Sequence, residues 1–557
     1  MQRDLTRLAR EHFDLVVIGG GITGACIAHD AALRGLRVAL VERNDFGGYT
    51  SSASSKLLHG GIRYLPKGQL WKVRESAREQ AIFQHLAPHL TRWIPFLVPT
   101  DSSGLARGRM AMKAAMLIYR GCRAGLDNLI RDRDKKPPSP AFLSAGEALS
   151  QVPLLEAIPG LTGAQVLYES HMHSSERMTL AFIKTAVRNG ACVANYTAVT
   201  DLLCRDGRVQ GVRVRDRQTS ETFSIQARLV VNAAGPYVQA VNRTIPSLRL
   251  RYPLTGFSRG VHLVTRQVEP RYALALTTRK KTEGFITRGG RHFFIIPWRD
   301  HSLIGTTNVP LREELDSIRV TRQDIHDFLQ DINGALPDVD LTWDDVRFAF
   351  TGVYPIIARE IKPDTYQGTG EFQIIDHAVR DGVEGIITAL GAKFTTARKV
   401  AEKTVDRAMA RLGTADPGCT THSTPLAEGR ISSLRNFVEE CCQQYGDMVS
   451  ASDVRHLVRY HGTETGTLIG SGRKVGLLNR LAEESPVLEI EVVHAVREEM
   501  AMRLEDVVFR RTGLGTTGCP SMAVLRRCAE LMAGPLSWSD EEIRSQIQTV
   551  QKKYRWS

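Results

Sequence analysis

The chain has 557 residues and a mass of 61.8 kDa, 42% apolar and 24% charged. That is a globular composition with room for roughly two to four domains, and it excludes disordered, collagen-like and small disulfide-stapled classes. Lys+Arg of 73 against Asp+Glu of 60 gives a net charge of +13 and a pI near 9.4, which suits anionic lipid, an anionic substrate or simple solubility. No apolar run reaches the roughly 18 residues of a membrane span. The opening MQRDLTRLAREHFDLVVIGG lacks an apolar signal core, so a cytoplasmic protein is expected. The 9 cysteines are scattered without a CxxC pair, a reduced pattern with no metal signature.

The first strong element is Asp14-Leu-Val-Val-Ile-Gly, a β-branched strand ending in glycine. Residues 25–33 are alanine-rich and helical, and Arg37-Val-Ala-Leu-Val-Glu42 is a second strand. Strand, glycine turn, helix and strand make a βαβ unit, which needs a parallel sheet. Residues 71–90 are helical by spacing, with Val73, Ala77, Ile82 and Leu86 on one face, and the proline-rich 135–140 is a loop. Further strands are expected at 191–199, 209–214, 229–232, 292–297 and 302–305, with helices at 179–188, 321–329 and 395–412. Residues 1–412 thus read as a nucleotide domain interleaved with a strand-rich second domain. A linker follows at 413–424, then a helical domain at 425–557, where Val493, Val496, Met500, Leu504 and Val507 share one helical face.

Gly19-Gly-Gly21-Ile-Thr-Gly24 fits G-x-G-x-x-G with a strand before it, a helix after it, and Glu42 about twenty residues on. The first glycine makes the tight turn, the second admits a pyrophosphate, and the third lets the helix pack on the strand. Free N–H groups at the helix start face the anion, and Glu42 can bind ribose hydroxyls. The motif alone does not separate FAD from NAD. The next segment, TSSASSKLLHGGIRYL over 50–65, is dense in hydroxyls and glycines and can line a long extended cofactor.

That segment and VIGGGITGACIAHDAALRGLRVALVE together resemble the FAD-dependent glycerol-3-phosphate dehydrogenases. The resemblance continues through Val231-Asn-Ala-Ala-Gly-Pro236, Phe294-Ile-Ile-Pro-Trp298, Ile304-Gly-Thr-Thr307, Gly391-Ala-Lys-Phe-Thr-Thr-Ala-Arg398 and the segment 502–515. It implies an α/β fold: a Rossmann-like FAD domain of the glutathione-reductase/D-amino-acid-oxidase type, an interleaved β-rich substrate domain and an all-α C-terminal domain. FAD would be held by Gly19, Gly21, Gly24 and Glu42 at its ADP half. Ser51, Ser52, Ser55 and Lys56 would lie near the pyrophosphate and flavin, Val199 by the adenine, and Ala234 and Gly235 at a turn beside the cofactor. Gly391, Lys393, Phe394 and Thr395 would flank the flavin ring.

The implied reaction moves a hydride from a secondary alcohol carbon to flavin N5. His59 is the best proton acceptor by type, with Arg63 and Lys393 as its catalytic partners and Tyr64, Tyr354 and His377 as substrate-binding residues. The resemblance also implies a quinone acceptor at the inner face of the cell membrane, or oxygen in an oxidase, and allows a homodimer. Nucleic acid is not an expected partner, because no aromatic-basic recognition stripe is present. The family's phosphate-binding arginines are missing: Phe350-Thr-Gly-Val-Tyr354-Pro has tyrosine where a guanidinium is usual, and Gln373-Ile-Ile-Asp-His377 has no arginine. A phenol gives one neutral hydrogen bond in place of a charged fork. Either Arg279, Lys280, Lys281, Arg359 or Lys362 replaces those groups, or the substrate is another small hydroxylated anion. Tyr354 and Asp376 argue for the second.

Overall fold

The structure, a computed structural model, describes residues 1–102, 108–250, 256–278, 292–311, 314–356, 371–391 and 393–556. Arg279, Lys280, Lys281, Arg359 and Lys362 lie outside the described residues.

The βαβ unit consists of strand His12–Ile18, helix Ile22–Leu33 and strand Val38–Val41, at the centre of an eight-stranded sheet. Thr222–Asn232 pairs in parallel with His12–Ile18, placing Val231 opposite Val17. Ile386–Leu390 and Cys192–Ala194 continue the parallel run on either side. Every residue of Val38–Val41 and Ile386–Leu390 is buried, as expected for parallel strands covered on both faces. Helix Ile22–Leu33 packs between Ser175–Arg188 and Ala397–Leu412. Ala28, Ile183 and Val405 share one core with Val17 and Leu40. The carboxyl ends of the parallel strands open on one edge, where sheets of this kind bind their ligands.

A second, ten-stranded sheet is mostly antiparallel. Its long strands are Thr91–Asp101, Leu161–Met172, Gly256–Thr265 and Val346–Ile356, and helix Arg322–Ala335 covers it with Phe328 against Phe293. The short strand Leu57–Leu58 pairs with Ser170 and His171. The serine segment is therefore the chain's crossing from one sheet to the other.

Two expected elements are broken where the backbone turns left-handed. The strand expected over 191–199 splits into Cys192–Ala194 and Thr197–Arg205, because Tyr196 sits at φ +51°. The Asn195 amide pins that break by donating to Asp45 and to the Met500 carbonyl. Val493 and Val507 do not share a helix either. Glu489–Glu499 ends at Met500, φ +54°, and Asp506 collects the Met502 and Arg503 N–H groups at the start of the next turn. The C-terminal residues are otherwise mostly helical, with one two-stranded hairpin at Arg480–Ala482 and Ser485–Leu488.

A buried ionic cluster ties these helices to the first sheet's covering helix. Arg177 binds Glu499 at 2.6 Å, and Lys184 pairs with Glu428, Glu464 and Glu499. His494 lies 3.5 Å from Glu499 and 3.7 Å from Glu464. Burial alone would lower its pKa, but the two carboxylates outweigh that and hold it up at about 8, above the ordinary 6.5. A raised histidine stabilises fully below its unfolded value and loses that contribution as pH rises through the folded one. Thermal stability should therefore fall between about pH 6.5 and pH 8. His494→Gln should flatten that slope in melting curves taken across the window.

Candidate active site

A cleft of about 620 Å³ runs along the carboxyl edge of the parallel sheet, from Glu42 and Val199 past Gly19, Gly21, Ser51 and Ala234 to Gly391, Lys393 and Phe394. Its floor is the glycine turn. Gly19 holds φ +103°, and a Cβ there would lie 2.8 Å from the Ala233 carbonyl oxygen. A Cβ on Gly24 would fall 1.9 Å from the Gly19 oxygen, so any side chain would force the helix off the strand. Helix Ile22–Leu33 has no side-chain cap on Gly21, and the Ile22 N–H donates to the Ser51 hydroxyl at 2.9 Å. A bare helix start facing a long cleft is a site for phosphate oxygens.

At the far end, the Glu42 carboxylate accepts from the Gly20 N–H at 2.7 Å and the Asn44 N–H at 2.9 Å. Burial pushes its pKa up, and those bonds oppose the shift. A carboxylate has about four acceptor positions, so it can still receive ribose hydroxyls. Tyr49, Tyr237, Arg43 and Asp316 also line this end. Tyr237 donates to Asp316 at 2.7 Å, Arg43 pairs with Asp316 and lies 4.1 Å over the Tyr237 ring, and Tyr49 donates to the Leu315 carbonyl. These four went unread in the sequence, because Asp316 reaches the cleft from the second sheet's part of the chain.

Beyond Lys393 the side chains become cationic. Arg63 donates to the Tyr64 hydroxyl at 2.8 Å, and the Lys393 ammonium sits 4.5 Å from the Tyr64 ring centre. Burial would raise the Tyr64 phenol, but Arg63 and Lys393 outweigh it and lower its pKa. Burial lowers the Lys393 ammonium against the opposing pull of Tyr64. The His59 backbone N–H donates to Thr395 Oγ1 at 3.1 Å, anchoring the histidine turn to the segment that carries Lys393 and Phe394. Tyr354 lines the cleft and donates to Asn308 Oδ1 at 2.8 Å.

Several expected site residues are placed elsewhere. His377 is fully buried at the edge of the first sheet, with Nδ1 on Asp381 and Nε2 on Thr388, so neither nitrogen can receive a substrate. Asp376 caps the short helix after its strand and pairs with Arg411, so it does not oppose a phosphate in the cleft. Lys56 is buried with its ammonium 2.8 Å from Glu176, so its charge is paired with that carboxylate. Ser52 donates to the Tyr49 carbonyl, and Ser55 bonds His262 Nε2 at 2.8 Å behind the wall. His262 is pushed down to about 3 by burial and stacks on Phe350. No local pattern singles out His262, Asn308 or Asp316; each becomes informative only through its partner.

FAD matches these features: glycines with no room for Cβ, a bare helix start, an acid at the ribose position and a cleft that continues past the pyrophosphate. The fold and this cleft define an FAD-dependent oxidoreductase. Residues 14–407 match the family model of FAD dependent oxidoreductases, and 419–543 match that of the C-terminal domain of alpha-glycerophosphate oxidase. The chain is 30% identical to a glycerol-3-phosphate dehydrogenase of Synechocystis sp., over 98% of this chain and 97% of that protein. It is 31% identical to the aerobic glycerol-3-phosphate dehydrogenase of Bacillus subtilis, over 92% and 89% respectively. The solved glycerol-3-phosphate dehydrogenase of Bacillus halodurans, complexed with FAD, superposes with a TM-score of 0.76 at 28% identity, over 99% of this chain and 96% of that one. The chain belongs to the FAD-dependent glycerol-3-phosphate dehydrogenase family.

A Cβ at position 21 already approaches Ser51 Oγ to 3.2 Å. Gly21→Val should fill the phosphate approach and give folded protein without flavin absorbance. Stoichiometric FAD in that variant would contradict the cradle described above.

Proposed function

We propose that the protein oxidises glycerol-3-phosphate to dihydroxyacetone phosphate and passes the electrons to a quinone at a membrane surface. The observation that carries the substrate reading is the convergence of Arg63 and Lys393 on Tyr64, beside the His59 turn. Charged donors of this kind form the stronger hydrogen bonds to an anionic ester. FAD, when bound, accepts the hydride from the secondary carbon. Arg63 and Lys393 bind and orient the anion and polarise the oxygen that becomes the carbonyl, Tyr64 fixes their geometry, and His59 takes the hydroxyl proton. The full-length similarity to glycerol-3-phosphate dehydrogenases supports the same substrate.

One observation favours a second reading, another small hydroxylated anion such as a phosphonate or hydroxy acid. Tyr354 and Asn308 present a neutral pair where family members typically have an arginine. Anaerobic flavin bleaching with a panel of hydroxylated phosphates, phosphonates and hydroxy acids separates the two. Rapid bleaching by glycerol-3-phosphate, with little gain from Tyr354→Arg, is the expected result. In a diverged pocket the native enzyme would respond poorly, and Tyr354→Arg would tighten glycerol-3-phosphate about ten- to a hundredfold, the worth of one charged hydrogen bond.

The membrane reading rests on helix Arg109–Arg123. It buries Met112, Met116 and Tyr119, yet exposes Met110 at 76%, Leu117 at 72% and Ile118 at 48%. Arg109, Lys113 and Arg120 are exposed on the same helix, and Leu70 and Trp71 are exposed at the start of the adjoining Leu70–Leu86. An apolar stripe among cations suits an anionic lipid surface. No helix among the described residues is long and apolar enough to cross a membrane. Changing both Leu117 and Ile118 to Glu should weaken sedimentation with anionic vesicles at least about tenfold, given the value of burying two such side chains, while substrate bleaching stays at its native rate. Reoxidation faster with oxygen than with a soluble quinone would favour an oxidase.

A further inference from the structure

We propose that Glu169 is a positioning residue that sets the His59 imidazole as a base with its free nitrogen at Nε2. This rests on the reading of His59 as proton acceptor. Glu169 projects from strand Leu161–Met172, with a side chain only 3% exposed, and its Oε1 lies 2.9 Å from His59 Nδ1. The other oxygen is occupied: Oε2 accepts from the Gly60 N–H and from Gln80 Nε2, both at 2.7 Å. Gln80 is itself held, donating to the Leu58 carbonyl and accepting from Arg123 at 2.6 Å. Gly60 is required where it is, since a Cβ there would strike the Tyr119 hydroxyl at 2.2 Å. The histidine turn is thus fitted against this carboxylate.

That arrangement favours one tautomer. An ionised carboxylate only accepts hydrogen bonds. Oε1 makes no aligned hydrogen bond among the described residues, and His59 Nδ1, 2.9 Å away, is the donor-capable atom beside it. The Gly61 N–H donates to Nδ1 at 3.2 Å. Keeping that bond leaves the buried carboxylate oxygen unpaired, which costs more than giving up one neutral amide donor. With the proton on Nδ1, Nε2 carries the lone pair. As the substrate C–O bond becomes a carbonyl and the hydride leaves with its electron pair for the flavin, the hydroxyl proton forms an N–H bond at Nε2. The imidazolium is then compensated by Glu169 across Nδ1–H, the role a buried carboxylate plays for a catalytic histidine. Among the described residues the titratable and charged groups around this turn include Glu169, Tyr119 and Arg123, with Arg63, Tyr64, Lys393 and, beside Lys393, Glu75.

Glu169→Gln tests this in the FAD-loaded enzyme. The amide oxygen can keep the Gly60 and Gln80 bonds, but the NH₂ then donates to Nδ1 and forces the proton onto Nε2. Flavin reduction by glycerol-3-phosphate, or by the fastest reductant of the panel, should slow about a hundred- to ten-thousandfold, the range of a lost general base. KM should change little, and the pH dependence of the flavin-reduction rate should flatten. The double variant Glu169→Gln/His59→Gln should be no slower than His59→Gln alone, because Glu169 acts through His59. A wild-type rate and pH profile in Glu169→Gln, with His59→Gln slow, would overturn the positioning role and leave the base reading standing. A full rate in His59→Gln would overturn both. Losses that multiply in the double variant would reduce Glu169 to a structural residue. Should Glu169→Gln lose its FAD, Glu169→Asp carries the test: it keeps the charge and therefore the pH profile at a reduced rate, and loss of that profile would overturn the proposal.

Discussion

The site depends on one close approach, between the backbone at Gly24 and the Gly19 carbonyl, where a Cβ would have 1.9 Å. Only with no side chain there can helix Ile22–Leu33 start directly against the end of strand His12–Ile18. Only then do its first N–H groups open toward the cleft where a phosphate can sit. Ser51 takes one of those donors, which ties the serine segment to the helix start. The same segment then crosses to the second sheet at Leu57–Leu58 and brings His59, Arg63 and Tyr64 to the segment of Lys393 and Thr395, where Lys393 lines the cleft. Cofactor cradle and substrate end are thus two parts of one stretch of chain.

The second governing factor is where buried charge is paired. Lys56, Arg177, Lys184 and Arg398 are all buried and matched to carboxylates. Such pairs contribute little net stability when intact and cost about 3–5 kcal/mol when one partner is removed. They tie the covering helices to the parallel sheet and the C-terminal helices to them. At the substrate end the cations Arg63 and Lys393 converge on a tyrosine.

Much of this was legible in the sequence because it is local. The glycine turn, Glu42 and the serine segment lie within about fifty residues, and fixed spacing carries their chemistry. The late turn at Gly391 and Lys393 was readable through its own glycine and its resemblance. What was not legible is set by partners far along the chain. His377 looks like any candidate ligand until Asp381 and Thr388 close on both its nitrogens. Lys56 looks like a phosphate cation until Glu176 takes it. Glu169 is unremarkable within its strand and acquires meaning only beside His59. The breaks at Tyr196 and Met500 follow the same rule, since Asn195 bridges from one to the other.

The most direct measurement is an experimental structure of the enzyme with FAD and a non-reacting substrate analogue. The account predicts the pyrophosphate on the N–H groups that follow Gly21, the ribose on Glu42, and the isoalloxazine beside Lys393 and Phe394. It predicts the analogue's anion on Arg63, with its hydroxyl within hydrogen-bond reach of His59 Nε2. A flavin ring lying elsewhere, or an analogue whose hydroxyl faces away from His59, would contradict it.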